Sequence, residues 1–339
     1  MLKPMLSKLT EITTQSRWVA LGLGAITLYL IGALLLGIHW SQPPQQATVE
    51  EIQATYAPKD VPNAVGTATV GALLFVTDTL LTKPGGYLSN DITPPGLWLD
   101  NMPNWEFGVL VQSRDLARAL RKDLSRSQSQ STEDVDLVIA EPALNYDSTK
   151  WFPSAESSYR KSIESASNYQ RRLATPGERA QFYARADNLR NYLADVETRL
   201  GSLSQRLSAS VGQMRINTDL AGDSSAEQST EGASEQRIQT PWLEIDDVFF
   251  EARGTAWALL HYLRAIEQDF QSVLDNKNAR VSLRQVIREL EATQQTVWSP
   301  MILNGSGFGI FANHSLVMAS YISRAHTAIS DLRALLEQG

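Results

Sequence analysis

Apolar residues recur along most of this chain at alternating spacings of four and three, the signature of helices that bury one stripe. Phe182, Ala186, Leu189, Leu193, Val196, Leu200, Leu203 and Leu207 form one unbroken seam. Thr175 as N-cap, Pro176 at the first helical position and Glu178 closing a capping box predict where that helix starts. Tyr159, Ile163, Ala166, Tyr169 and Leu173 form a shorter stripe just upstream. The tight break at 174–177 predicts that the two helices fold back as an antiparallel hairpin. A second long seam runs through Ile245, Phe249, Ala252, Ala256, Leu259, Leu263, Ile266, Phe270 and Val273, entered through Thr240 and Pro241. Ser282 and Gln285 read as a further capping box ahead of Leu283, Val286 and Leu290, and Met318, Ile322, Ala325, Ile329, Leu332 and Leu336 close the chain. Helices with such seams must pack on one another. No window sustains a period of two, so the prediction is an all-α protein without a sheet, an elongated helical bundle with coiled-coil-like hairpins.

Near the start the periodicity gives way to a continuous run. Residues 19–38 carry no charge, and at about 1.5 Å per residue they span roughly 30 Å, the thickness of a bilayer's hydrocarbon core. Trp18 and Trp40 flank the run as interfacial aromatics do. Lys3, Lys8 and Arg17 against Glu11 precede it, and beyond it no Lys or Arg occurs before Lys59. The positive-inside rule then places the N-terminus in the cytoplasm and the remainder outside. A cleaved signal sequence is the alternative, but its apolar core runs about 7–15 residues, and this run is longer and exits through His39, Trp40 and Pro43-Pro44. The apolar stretch 61–77 contains Asn63, Thr67, Thr69 and Thr77, which is short and polar for a second span; a buried or surface-lying helix is expected there.

The predicted organisation is a cytoplasmic segment 1–17, a transmembrane helix 18–40 that binds the lipid bilayer, and a spacer 41–60. Membrane-proximal helices, a Trp/Pro-rich loop and the central hairpin fill 61–217, and a C-terminal hairpin occupies 240–339 in one shared bundle. Between them 218–239 is Ser, Gly, Ala, Glu and Gln with little apolar content, expected to be a disordered acidic linker; 125–134 is a shorter stretch of the same kind.

Composition narrows the function. The net charge is −7, and setting aside the +2 of the N-terminal segment leaves −9 for the rest, so nucleic acid is not the expected partner. There are no cysteines, which excludes disulfides and thiolate metal sites. The histidines are His39, His261, His314 and His326, with no pair at the spacing of a helical zinc site, so neither metal nor cofactor is predicted. Residues 305–309 are glycine-rich but lack the lysine of a phosphate-binding loop; they read as a flexible loop in which Phe308, Ile310 and Phe311 can dock on protein or membrane. Glu244, Asp247 and Glu251 share one helix face, where the macrodipole of a helix start stabilises acids. Arg171, Arg172, Arg179 and Arg185, interleaved with Tyr183 and Tyr192, are the candidates for an anionic ligand, a solvated helix face being the plainer reading.

The stretch 85–110, GGYLSNDITPPGLWLDNMPNWEFGVL, differs from everything around it. Pro84, Pro94, Pro95 and Pro103 prevent a continuous helix, while Leu97, Trp98 and Leu99 are too apolar for a solvated linker. Asn104 is predicted to cap the next helix, whose stripe includes Leu116, Ala117, Leu120 and Leu124. Long ordered loops are uncommon and usually functional. Tyr87, Asn90, Asp91, Trp98, Asn101, Met102 and Trp105 are therefore the candidate partner-binding residues, and the plainer alternative is that Trp98 and Trp105 plug the end of the bundle nearest the membrane. The anchor, this block and the helical remainder resemble a family of single-span proteobacterial inner-membrane proteins catalogued only as a domain of unknown function. The resemblance implies an inner-membrane location, and it carries no activity or catalytic residue.

Two functional readings follow. One is a non-enzymatic scaffold or adaptor at the inner membrane, its periplasmic bundle binding an envelope protein or a second copy of itself. The other is an envelope hydrolase acting on cell-wall glycan or lipid, with Asp91 and Glu106 as acid and base. A sensor is disfavoured, because the roughly 17 residues ahead of the span are too few for an output module.

Overall fold

The structure is a computed structural model that describes residues 3–58, 64–126, 132–216, 235–299 and 301–338. Among them eleven α-helices account for most of the chain. α1 (Lys3–Trp40) contains the segment Val19–Trp40, long and apolar enough to cross a membrane and almost wholly exposed. α2 (Val49–Tyr56) and α3 (Thr67–Thr82) precede the Trp/Pro-rich loop, and α4 (Asn101–Ala119) follows it, ending in a π-helical turn at Leu120–Leu124. α5 (Leu137–Leu144), α6 (Ala155–Ala174) and α7 (Ala186–Ser208) come next. α8 (Ile245–Asp269), α9 (Gln271–Asn276), α10 (Arg280–Ala292) and α11 (His314–Glu337) complete the chain.

The seams predicted from the sequence are buried: Leu189 to Leu207 along α7, Ile245 to Ile266 along α8 and Met318 to Leu336 along α11. The partners differ from the prediction. α6 does not pair with α7 as a hairpin; it lies against α5 and α3, while α7 packs along α11. Thr175 is the C-cap of α6, and α7 begins only at Ala186. The residues between are held extended by distant groups: Tyr183 N–H donates to the Leu124 carbonyl, and the Phe182 ring meets Phe270 edge-on at 5.7 Å. Ser282 likewise lies inside α10, which starts after Ala279.

α3 is a core helix, which settles the reading of 61–77 in favour of burial for its described residues. Its first residues lack a local cap, because the position ahead of it is Gly66, at φ 97°. Asp269, from the end of α8, supplies the cap from a distance, accepting from Gly66 N–H, Thr69 N–H and the Thr69 hydroxyl at 2.6–2.8 Å. α4 and α8 run parallel and touch backbone to backbone. A Cβ on Gly108 would lie 2.1 Å from the Glu251 carbonyl oxygen, and one on Gly254 2.0 Å from that of Trp105.

A small sheet is the second departure. β1 (Gln213–Ile216) and β2 (Glu235–Ile238) pair antiparallel, Gln213 opposite Ile238, at the base of a segment whose linker prediction lies mostly outside the described residues.

Candidate functional site

The loop after α3 is organised around one buried ion pair. Lys83, the C-cap of α3, reaches Glu106 on the second turn of α4 at 2.5 Å, with neither side chain exposed. Glu106 also accepts from the backbone N–H groups of Leu88 and Ser89, both at 2.8 Å, and from the Ser89 hydroxyl. Lys83 donates in addition to the Gly86 carbonyl. Burial pushes the Glu106 carboxyl above the usual range, and Lys83 opposes that rise. Left-handed backbone at Gly85 and Gly86 turns the chain back under the pair.

Around this centre the loop is packed into the bundle. Tyr87 meets Tyr159 edge-on at 5.4 Å, and Trp105 lies 5.1 Å from Trp257, ring to ring. Asn90 donates to the Lys150 carbonyl and to Glu156. Met102 is buried as well. Of the seven candidate partner-binding residues, Tyr87, Asn90, Met102 and Trp105 are thus interior, Asp91 and Asn101 are half-buried, and only Trp98 is exposed. The acid–base pair does not form an open site: Asp91 is half-buried at the edge, whereas Glu106 is sealed with both oxygens engaged. Asp100 rather than Asn104 caps α4; Asn104, one turn on, bonds to the Asp100 carbonyl and to Asp247.

The loop also grips the end of α1. Gly85 lies so close beneath the Trp40 indole that a Cβ would sit 2.8 Å from ring atoms. Gly37 faces Leu99 and Pro95, and Ala33, one turn deeper, is buried too. The predicted spacer is no free tether. His261 accepts the Ala47 N–H on Nε2 while its Nδ1 donates to the Trp257 carbonyl, which fixes the neutral tautomer, and burial holds its pKa down at about 4. Thr48 and Glu51 close a capping box on α2, and Tyr56 bonds to Asp78 of α3.

Exposed apolar side chains gather at this same end. Ile92, Leu97 and Trp98 project from the loop, and Trp242 and Leu243 from the entry to α8. The bridge Asn304–Asn313 closes a hairpin whose tip carries Phe308, Ile310 and Phe311, all exposed. At the far end Val65, Val135, Val138, Ile139 and Val281 are exposed.

The remaining candidates are dispersed. Arg172 binds Asp134 and Asp136, Arg185 pairs with Asp187, and Arg171 bonds to Asn168; with exposed Arg179 they form no joint pocket. Asp247 is taken up by Asn104 and Glu251 by Arg206. Sequence reasoning missed Lys83 and Arg253, the latter because nothing local marks an arginine on the apolar side of a helix.

The chain belongs to the family described as uncharacterized protein conserved in bacteria (DUF2333), which matches residues 12–339. No curated protein and no solved structure matches it.

Proposed function

We propose that this bacterial protein is a single-pass inner-membrane scaffold, its N-terminus cytoplasmic and its helical bundle presented in the periplasm to an envelope partner protein. The observation that carries the reading is the clamp between α1 and the bundle: Trp40 over Gly85, Gly37 against Leu99, and Ala47 held by His261. Eight free residues, 41–48, would let the bundle wander by roughly 16 Å. Clamping them fixes its height and orientation at the membrane, which lowers the ordering cost for a partner that must dock there. The hydrolase reading is less favoured, because Glu106, one of its two carboxylates, is enclosed.

The test is photo-crosslinking in living cells from position 91, at the half-buried edge of the loop. A discrete adduct with one envelope protein is expected, lost when a flexible Gly-Ser stretch is inserted between Gln45 and Gln46 although the bundle stays helical. Absence of any adduct, or an adduct indifferent to the insertion, contradicts the scaffold reading.

A further inference from the structure

Arg253 lies two turns into α8 with its side chain turned inward, 7% of the residue exposed. Among the described residues no carboxylate lies within ion-pair distance of it, in contrast to Arg199, Arg206 and Arg264 on the neighbouring surfaces. It donates one hydrogen bond, from Nη2 to the Gln294 carbonyl at 3.1 Å, and its Nε has no partner. Burial pushes its pKa down, and no acid offsets the shift. A buried cation without a counter-charge is costly, because desolvation is not repaid by attraction.

This guanidinium faces a depression of about 440 Å³. Residues 41–43, the first beyond Trp40, line it together with Phe250, Val297 and Ile302. Asn101 lines it too, with its side-chain oxygen unpartnered. The amide could equally present its nitrogen there. Asp246 is the acidic residue of the lining, seven positions and so roughly 10 Å from Arg253 along α8. The site therefore combines a cation with a lining of mixed polarity, Phe250, Val297 and Ile302 beside Ser41, Gln42 and Ser299, next to the exit of the apolar helix.

We infer that this depression binds the phosphate of an anionic phospholipid from the adjoining leaflet, Arg253 taking the phosphate and Phe250, Val297 and Ile302 flanking the chains. The source of the phosphate rests on the reading that α1 crosses the bilayer; the anion site itself does not. A planar guanidinium presents paired N–H donors that suit phosphate oxygens.

The experiment uses the full-length protein in neutral detergent, with native mass spectrometry and thermal unfolding as readouts. Phosphatidylglycerol, phosphatidylcholine and inorganic phosphate are the probes. Phosphatidylglycerol is expected to remain bound and to raise the Tm, with affinity at least 10-fold lower in Arg253→Gln and intermediate in Arg253→Lys, which keeps the charge but not the planar fork. Arg253→Met should unfold at a higher temperature than the parent protein when both are free of lipid, because it removes an uncompensated buried charge; that outcome shows that loss of binding is not loss of fold. Inorganic phosphate binding as tightly as the lipid, or phosphatidylglycerol binding that ignores Arg253, overturns the inference. Extraction of the full chain from membranes by alkaline carbonate would instead overturn the anchor, while an Arg253-dependent anion site could survive it.

Discussion

Lys83 and Glu106 face each other across the turn that joins α3 to α4, 2.5 Å apart and closed off from solvent. The pair fixes a loop that would otherwise hold three glycines and three prolines in no particular arrangement. Breaking a buried pair by removing one partner strands the other charge, so Lys83→Met or Glu106→Gln should each cost roughly 3–5 kcal/mol. The double variant Lys83→Met/Glu106→Gln should cost clearly less than the two single losses together. Urea unfolding of the four proteins decides it. Additive losses would mean that the two groups act independently.

The neutral His261 ring gives the mount a pH dependence. Its pKa is about 4 when folded and 6.5 in the unfolded chain, so between those values the unfolded state binds more protons and stability rises with pH. The contribution is fully present above about pH 6.5 and is lost on acidification towards pH 4, up to roughly 3 kcal/mol. His261→Gln can keep both hydrogen bonds without titrating. Between pH 7.5 and 4 the parent protein should therefore lose up to that much more stability than the variant, carboxylate effects being common to both. Parallel curves would remove His261 as the cause.

Gly85 is where the loop meets α1. Gly85→Ala brings a Cβ against the Trp40 indole and strains a backbone at φ 87°, a conformation costing of order 1–3 kcal/mol for other residues. The expected result is faster proteolytic cleavage within 41–48, with little change in helical content. Unaltered cleavage would show that Trp40 is not held there.

The contact of α4 with α8 is less forgiving. Gly108→Ala or Gly254→Ala places a methyl about 2 Å from a carbonyl oxygen of the facing helix. Overpacking of that kind costs typically 1–3 kcal/mol or more, and here the obstacle is backbone. Each should lower the Tm by several degrees; a neutral Gly254→Ala would mean that the helices can part without penalty.

Helix type and core face were legible in the sequence because they are local: the stripes on α7, α8 and α11 face inward residue for residue. Which helix covers which stripe was not, since a heptad records a face and not its partner. The start of α7 was misplaced for a related reason. Thr175, Pro176 and Glu178 make a plausible cap, but Phe182 is drawn to Phe270 and Tyr183 to Leu124 across the fold. The loop was recognised by composition, yet composition did not say which of its side chains point inward. Trp98 and Trp105 look alike in the sequence, and one is exposed while the other is packed on Trp257. Glu106 read as a possible acid because its partner Lys83 lies on the preceding helix.

The central claim is that the end of the bundle that grips α1 lies against a bilayer. The chain has no cysteine, so Leu28→Cys, Trp98→Cys, Phe308→Cys and Val281→Cys each carry a single spin label in the full-length protein, reconstituted in phosphatidylethanolamine–phosphatidylglycerol vesicles. Labels at 28, 98 and 308 should be relaxed by lipid-soluble oxygen and protected from a water-soluble nickel chelate, and the label at 281 should behave the opposite way. If 98 and 308 prove as open to nickel as 281 while 28 stays in lipid, the anchor holds but the bundle does not rest on the membrane, and the central claim is contradicted.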